Sequence, residues 1–158
     1  MANLAYPILE GVGLFCAGLL AGIEFIVRFG VRSPLTVLDD RPQIQLRQAL
    51  IRRMRIIVPA VFALTAVTGI AVTVLHRSAP GFAVRCTGLL AIGAWTLATF
   101  IGTVPINKAI LSWRPEAPPD GWKDRIKAWE RLDTIRTAAA LAAFACFLAA
   151  IASQLAAV

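Results

Sequence analysis

A chain of 158 residues that is 58% hydrophobic, with a mean hydropathy of +0.72, is too apolar for a water-soluble domain, whose apolar share is usually about 45–50%. The net charge of +7 and pI near 10.4 do not indicate nucleic acid binding: the basic residues gather between apolar runs, where they set membrane orientation and attract anionic headgroups. Composition predicts one all-α domain over residues 1–158, an integral membrane four-helix bundle with no repeat and no low-complexity linker.

The first predicted span covers residues 4–29. No Lys or Arg precedes Arg28, so the basic n-region of a signal peptide is missing and the run reads as a mature helix. Inside it lies Glu24, a carboxylate that costs several kcal/mol in hydrocarbon unless it finds a partner or water. At about 100° per residue, Glu10, Gly13, Ala17, Ala21, Glu24 and Arg28 fall within roughly 60° of one meridian. That polar, concave stripe must face protein.

Residues 30–55 form a first long connection. Arg32-Ser33-Pro34-Leu35 reads as a turn, and residues 42–55 as an interfacial helix that extends the second span and sets Arg47, Arg52, Arg53 and Arg55 at the headgroups. The second span, 56–75, carries Thr65, Thr68, Gly69 and His76 along one side, and a short connection, 76–81, leads to the third span, 82–106. There Thr96, Thr99 and Thr103 make a stripe that Asn107 continues, and Pro105 frees the carbonyl of Ile101, which predicts a kink.

The second long connection, 107–133, is broken by Pro115, Pro118, Pro119 and Gly121, then becomes helical and amphipathic over residues 122–131. Trp113, Trp122 and Trp129 are placed at the membrane interface, where aromatic belts form. The fourth span, 134–158, follows, with Trp129, Asp133, Arg136, Ala140 and Ala143 on one face. Lys and Arg crowd the two long connections and are missing beyond Arg28 and Arg136 toward the ends. That predicts both long connections in the cytoplasm and both termini outside. Cys16, Cys86 and Cys146 lack ligand spacing and read as buried free thiols.

Two polar clusters follow from depth. Glu24, Arg28, Asn107, Asp133 and Arg136 belong to the inner one, Glu10 and His76 to the outer. The inner group reads either as a staple, Glu24 with Arg28 and Asp133 with Arg136, or as a site. Buried ion pairs rarely outperform apolar replacements in stability, so several facing one interior favour a site.

The run Thr103-Val104-Pro105-Ile106-Asn107, with Trp113, Pro118-Pro119, Trp122, Trp129-Glu130-Arg131-Leu132-Asp133 and Arg136, resembles the anthrone-oxygenase-like family of small four-helix membrane proteins. Gly22, Glu24, Arg28 and residues 48–55 are similar to its bacterial members. The resemblance implies oxidation of an anthrone to the quinone by dioxygen without metal or flavin, hence no cofactor. It carries the family's marked positions onto Asn107, Trp129 and Arg136; where many relatives have His or Asn, this chain has Asp133.

The candidate catalytic residues are therefore Glu24, Asn107, Asp133 and Arg136. A base, Glu24 or Asp133, would deprotonate the ligand while Arg136 and Asn107 hold the developing oxyanion. Arg28, Thr103, Trp113 and Trp129 are the candidate contacts to a hydrophobic, planar aromatic molecule. The expected partners are that molecule, membrane lipid and a second copy of the chain, with no nucleic acid. A metal site is not expected, because His76 is the single histidine. Two other readings stand beside this one. A first-helix glutamate also suits a proton-coupled or small-molecule transporter, and Gly18-xxx-Gly22 suits a scaffold subunit.

Overall fold

Residues 4–157 are described by the computed structural model; the end of the fourth predicted span, Val158, lies outside them. Helix α1 spans Ala5–Thr36, α2 Asp40–Leu75, α3 Phe82–Ser112 and α4 Trp122–Leu155, each long and apolar enough to cross a membrane. Among the described residues the only β pairing is an isolated bridge between Arg114 and Ala117. The chain is a multi-pass membrane protein folded as a four-helix bundle. Helix α1 packs on α2 and α4, and α3 packs on α4 and α2, which closes the ring.

Helices of 31 to 36 residues are about 46–54 Å long, against about 30 Å of hydrocarbon. The excess of roughly three or four turns absorbs most of the two long connections. Only residues 37–39 and 113–121 interrupt the helices there, and the predicted extension of the second span is one continuous helix from Asp40 through the exposed Pro59. The turn predicted at Arg32 to Leu35 is instead helical. These two connections share one end of the bundle, tied by Arg41 to Glu116 at 3.3 Å and by Lys123 to Asp40 at 3.1 Å. The connection 76–81 occupies the other end, where Gly81 has φ +84°. A Cβ there would sit 2.9 Å from the Ala150 carbonyl oxygen, so both the conformation and the close approach require glycine.

Lipid offers no hydrophobic drive between helices, so close packing must hold them together. The central core does this with small residues: Ala17 and Ala21 with Leu20 on α1 meet Ala139, Ala140, Ala143 and Phe147 on α4, and Ile92 and Trp95 on α3. This buries the α1 stripe of Gly13, Ala17, Ala21 and Glu24.

Two turns depart from α geometry. Val27–Val31 and Ala98–Thr103 are π-helical, one in α1 and one in α3. In the second, the N–H of Val104 reaches back to the Thr99 carbonyl, so the strain that Pro105 imposes on the preceding turn is taken up by widening it. Where the sequence predicts a kink at Pro105, the described feature is this π-turn. Such wide turns are frequent at functional sites, and these two flank the buried polar groups of the bundle.

A second cluster sits at the loop end. Ile44, Ile110, Trp113, Trp122 and Ile126 are buried together, and the two indoles meet edge to face at 6.3 Å. Trp113 and Trp122, expected among the headgroups, are buried core residues of this loop-end cluster. Gln48 completes this packing: its amide donates to the carbonyls of Ile110 at 2.9 Å and Trp113 at 3.0 Å, satisfying acceptors that the end of α3 leaves open.

Candidate functional site

Glu24 is 2% exposed and Asp133 0%, in a segment where carboxylates are costly. The partner of Glu24 is Arg136 on α4, whose Nη2 donates to Oε1. The indole Nε1 of Trp95 donates to the same oxygen at 3.1 Å. Trp95 is the buried platform of the site. Phe62 stacks on it at 4.8 Å with rings 20° apart, and the Arg136 guanidinium lies over it, 5.1 Å from the ring centre. Nothing in the spacing of the belt-like tryptophans singled out Trp95. Its signal was positional: it stands one helical turn before Thr99 and two before Thr103, on the threonine stripe of α3.

The two ion pairs expected within single helices do not form. Arg28 does not pair with Glu24 but donates to the Thr134 hydroxyl, with its guanidinium 5.4 Å from the Phe29 ring. Arg136 is satisfied across the bundle by Glu24 and, at 3.5 Å, by the Thr103 hydroxyl. The physical reason is direction: Glu24 and Arg136 both point to the bundle axis, whereas Arg28, one turn beyond and entering the π-turn, is carried to the edge of the bundle.

Asp133 is left with both carboxylate oxygens buried and without a hydrogen-bond partner among the described residues. Its Coulombic neighbours are Glu24, Arg136, Arg28 and Arg32. Other buried atoms are unpartnered too: Nε of Arg136 and Nε and Nη2 of Arg47, whose charges act on Asp133, and the Thr99 hydroxyl on α3. Buried donors and acceptors left without partners are costly in a low dielectric.

Arg47, expected at the headgroups, is buried inside this network. Its Nη2 stands 3.5 Å from Glu130 Oε1, an ion-pair distance without hydrogen-bond alignment, and its guanidinium is 6.0 Å from the Trp129 ring. Glu130 also accepts from Arg32 at 2.6 Å. Asn107 does not reach Arg136; its side-chain oxygen accepts from Trp129 Nε1 at 2.9 Å. Asn107 and Trp129 therefore join α3 to α4 beside Arg47. Trp113 belongs to the loop-end core, away from the Glu24 pair.

A cleft of about 680 Å³ opens at the loop end, walled by Thr36, Leu38, Asp40, Gln43, Trp122, Lys123, Ile126, Lys127 and Glu130. Glu130, on α4, is one of these wall residues and stands three residues before Asp133. At the opposite end, Arg85 is 2% exposed and donates to Glu10 at 2.7 Å, with His76 Nδ1 4.0 Å from the same oxygen and Tyr6 edge-on to the imidazole. The predicted outer cluster forms, with Arg85 as its unforeseen centre. Among the described residues no three His, Cys, Asp or Glu side chains come together as a metal-binding group.

The sequence model of the anthrone oxygenase family matches residues 48–146, more than half of the chain. The chain belongs to the anthrone oxygenase family. Comparison with curated proteins and with solved structures returned no match. Within the matched stretch of this anthrone oxygenase family member lie Trp95, Thr103, Asn107, Trp129, Asp133 and Arg136, and it begins at Gln48, which caps α3. Glu24 and Arg28 precede it.

Proposed function

We propose that the chain is a membrane enzyme of anthrone-oxygenase type that takes a hydrophobic, planar aromatic ligand from the bilayer to the Asp133–Arg136 interior. In that reaction the ligand's methylene becomes a carbonyl: one oxygen of dioxygen enters the product and the other leaves as water with the two methylene hydrogens. The first demand on the protein is a base that removes one of those hydrogens as a proton. The second is a cation beside the phenolate-like oxygen that results.

Asp133 carries the reading, because a fully buried carboxyl with two free oxygens is the group best placed to accept a proton from a guest. Arg136 supplies the cation, held in place by Glu24, Trp95 and Thr103. Glu24, already engaged by two donors, orients Arg136 rather than acting first as base. Trp129 and Asn107 line the α3–α4 side, and Thr103 faces the same interior. Both long connections lie in the cytoplasm and both termini outside in this proposal, so the site belongs to the inner half of the membrane.

Purified protein in lipid nanodiscs, given an anthrone and air, should form the quinone and consume dioxygen well above spontaneous oxidation. Asp133→Asn and Arg136→Gln should each bring the rate to that background. Quinone formation indistinguishable between the wild type and both variants, or no faster than without protein, would sink the assignment. A proton-coupled transporter remains the competing reading, favoured by the charged pair buried on α1 and α4; proton uptake coupled to flux of an aromatic cation in liposomes would decide for it.

A further inference from the structure

A lipid-soluble ligand and a proton need different routes to a buried carboxyl. The ligand dissolves in the bilayer, whereas a proton crosses low-dielectric protein only along groups that bind and release it. The four-helix interior offers one such line. Glu130 is one of the residues lining the cleft at the loop end; its side chain is 12% exposed, held by Arg32 at 2.6 Å, with Arg47 3.5 Å away. Three residues further along α4, on the same face, stands Asp133 with no hydrogen bond to constrain it. Beyond it, across the bundle axis, is Glu24.

We propose that Glu130 and Asp133 form a proton relay between the aqueous cleft and the buried Glu24–Arg136 pair. A proton that Asp133 has accepted passes to the Glu130 carboxylate, which becomes the acid, and Glu130 releases it to water in the cleft. Each transfer moves one proton and no electrons, and the same path runs in reverse. The unpartnered Nε and Nη2 of Arg47 and Nε of Arg136 are donors that orient bridging waters along this line.

Every charged group facing Asp133 belongs to the device. Glu24, Arg28 and Arg32 approach from α1, Arg47 from α2, and Glu130 and Arg136 flank it on α4. Arg32 and Arg47 keep Glu130 directed inward; Lys123 and Lys127 at the cleft mouth are occupied by Asp40 and Asp124. Glu130 acts here through Asp133, so it is a positioning and relay group that the ligand does not touch. The relay holds whether the guest is oxidised or transported, and its test uses no substrate.

The test is infrared spectroscopy of the full chain in nanodiscs after a rapid pH jump, following the carboxyl stretch assigned by its loss in Asp133→Asn. Glu130→Gln should slow the response at least tenfold. Formate or azide, small diffusible weak acids, should restore it, and Glu130→Asp should keep most of the wild-type rate. A merely structural Glu130 would not respond to a soluble acid. Should Glu130→Gln not fold for want of a partner to Arg32, the pair Arg32→Met and Glu130→Gln is read in the same way. A wild-type rate in the folded glutamine variant, or slow exchange that no weak acid restores, overturns the relay; failure of quinone formation with an intact relay would overturn only the enzymatic reading.

Discussion

Removing Arg136 is the most exacting perturbation of the bundle. Its guanidinium, about 10% exposed, is the cationic partner of a glutamate that is 2% exposed. In Arg136→Met the volume and linear shape of the side chain are largely kept, the cation is lost, and Glu24 retains only the Trp95 hydrogen bond. Breaking a buried pair from one side costs about 3–5 kcal/mol, which is roughly two to four powers of ten in the folding equilibrium. The Thr103 hydroxyl loses a weak donor besides. Replacing both partners, Glu24→Leu with Arg136→Met, leaves neither member of the pair without its counter-charge, and such swaps are often neutral or stabilising, so much of the loss should return. The assay is reversible unfolding in mixed micelles, with the two single variants and the double variant forming a cycle. The reasoning is refuted if Arg136→Met costs under about 1 kcal/mol, or if the double variant is as unstable as the single one.

Gln48→Leu removes the amide that serves the Ile110 and Trp113 carbonyls, and should cost about 1–3 kcal/mol while speeding amide exchange in residues 110–121. Gly88→Ala places a Cβ 2.8 Å from the Phe147 ring, an overpacking cost of about 1–3 kcal/mol that Phe147→Leu should relieve; thermal scans of the three proteins give the comparison. Trp95→Phe keeps the stack on Phe62 but deletes the donor to Glu24, and should lower the melting temperature and weaken ligand binding together, measured by fluorescence of the remaining tryptophans. Single cysteines at Gln45 and Asp120 should react with impermeant reagents from the cytoplasm and those at Ser78 and Gln154 from outside; labelling of Ser78 from the cytoplasm would invert the orientation.

Class and span number were legible because hydropathy is a one-dimensional quantity: a run of apolar residues must leave water wherever it lies in the fold, and backbone groups in lipid must then be helical. The α1 stripe was legible for a similar reason, since helical periodicity alone puts Gly13, Ala17, Ala21 and Glu24 on one face and a carboxylate dictates which way that face turns. Partners were another matter. Local spacing offered Glu24 with Arg28 and Asp133 with Arg136, but pairing across a bundle depends on helix rotation and depth, and the fold joined Glu24 to Arg136 while leaving Asp133 free. Arg47, Arg85 and Trp95 stayed hidden because an arginine near a span end or a tryptophan within one reads as an interface anchor until a neighbouring helix covers it. Only the tertiary structure makes the loop-end core of Trp113, Trp122 and Ile44, since it comes from residues far apart in the chain, at the ends of three helices, packing on one another.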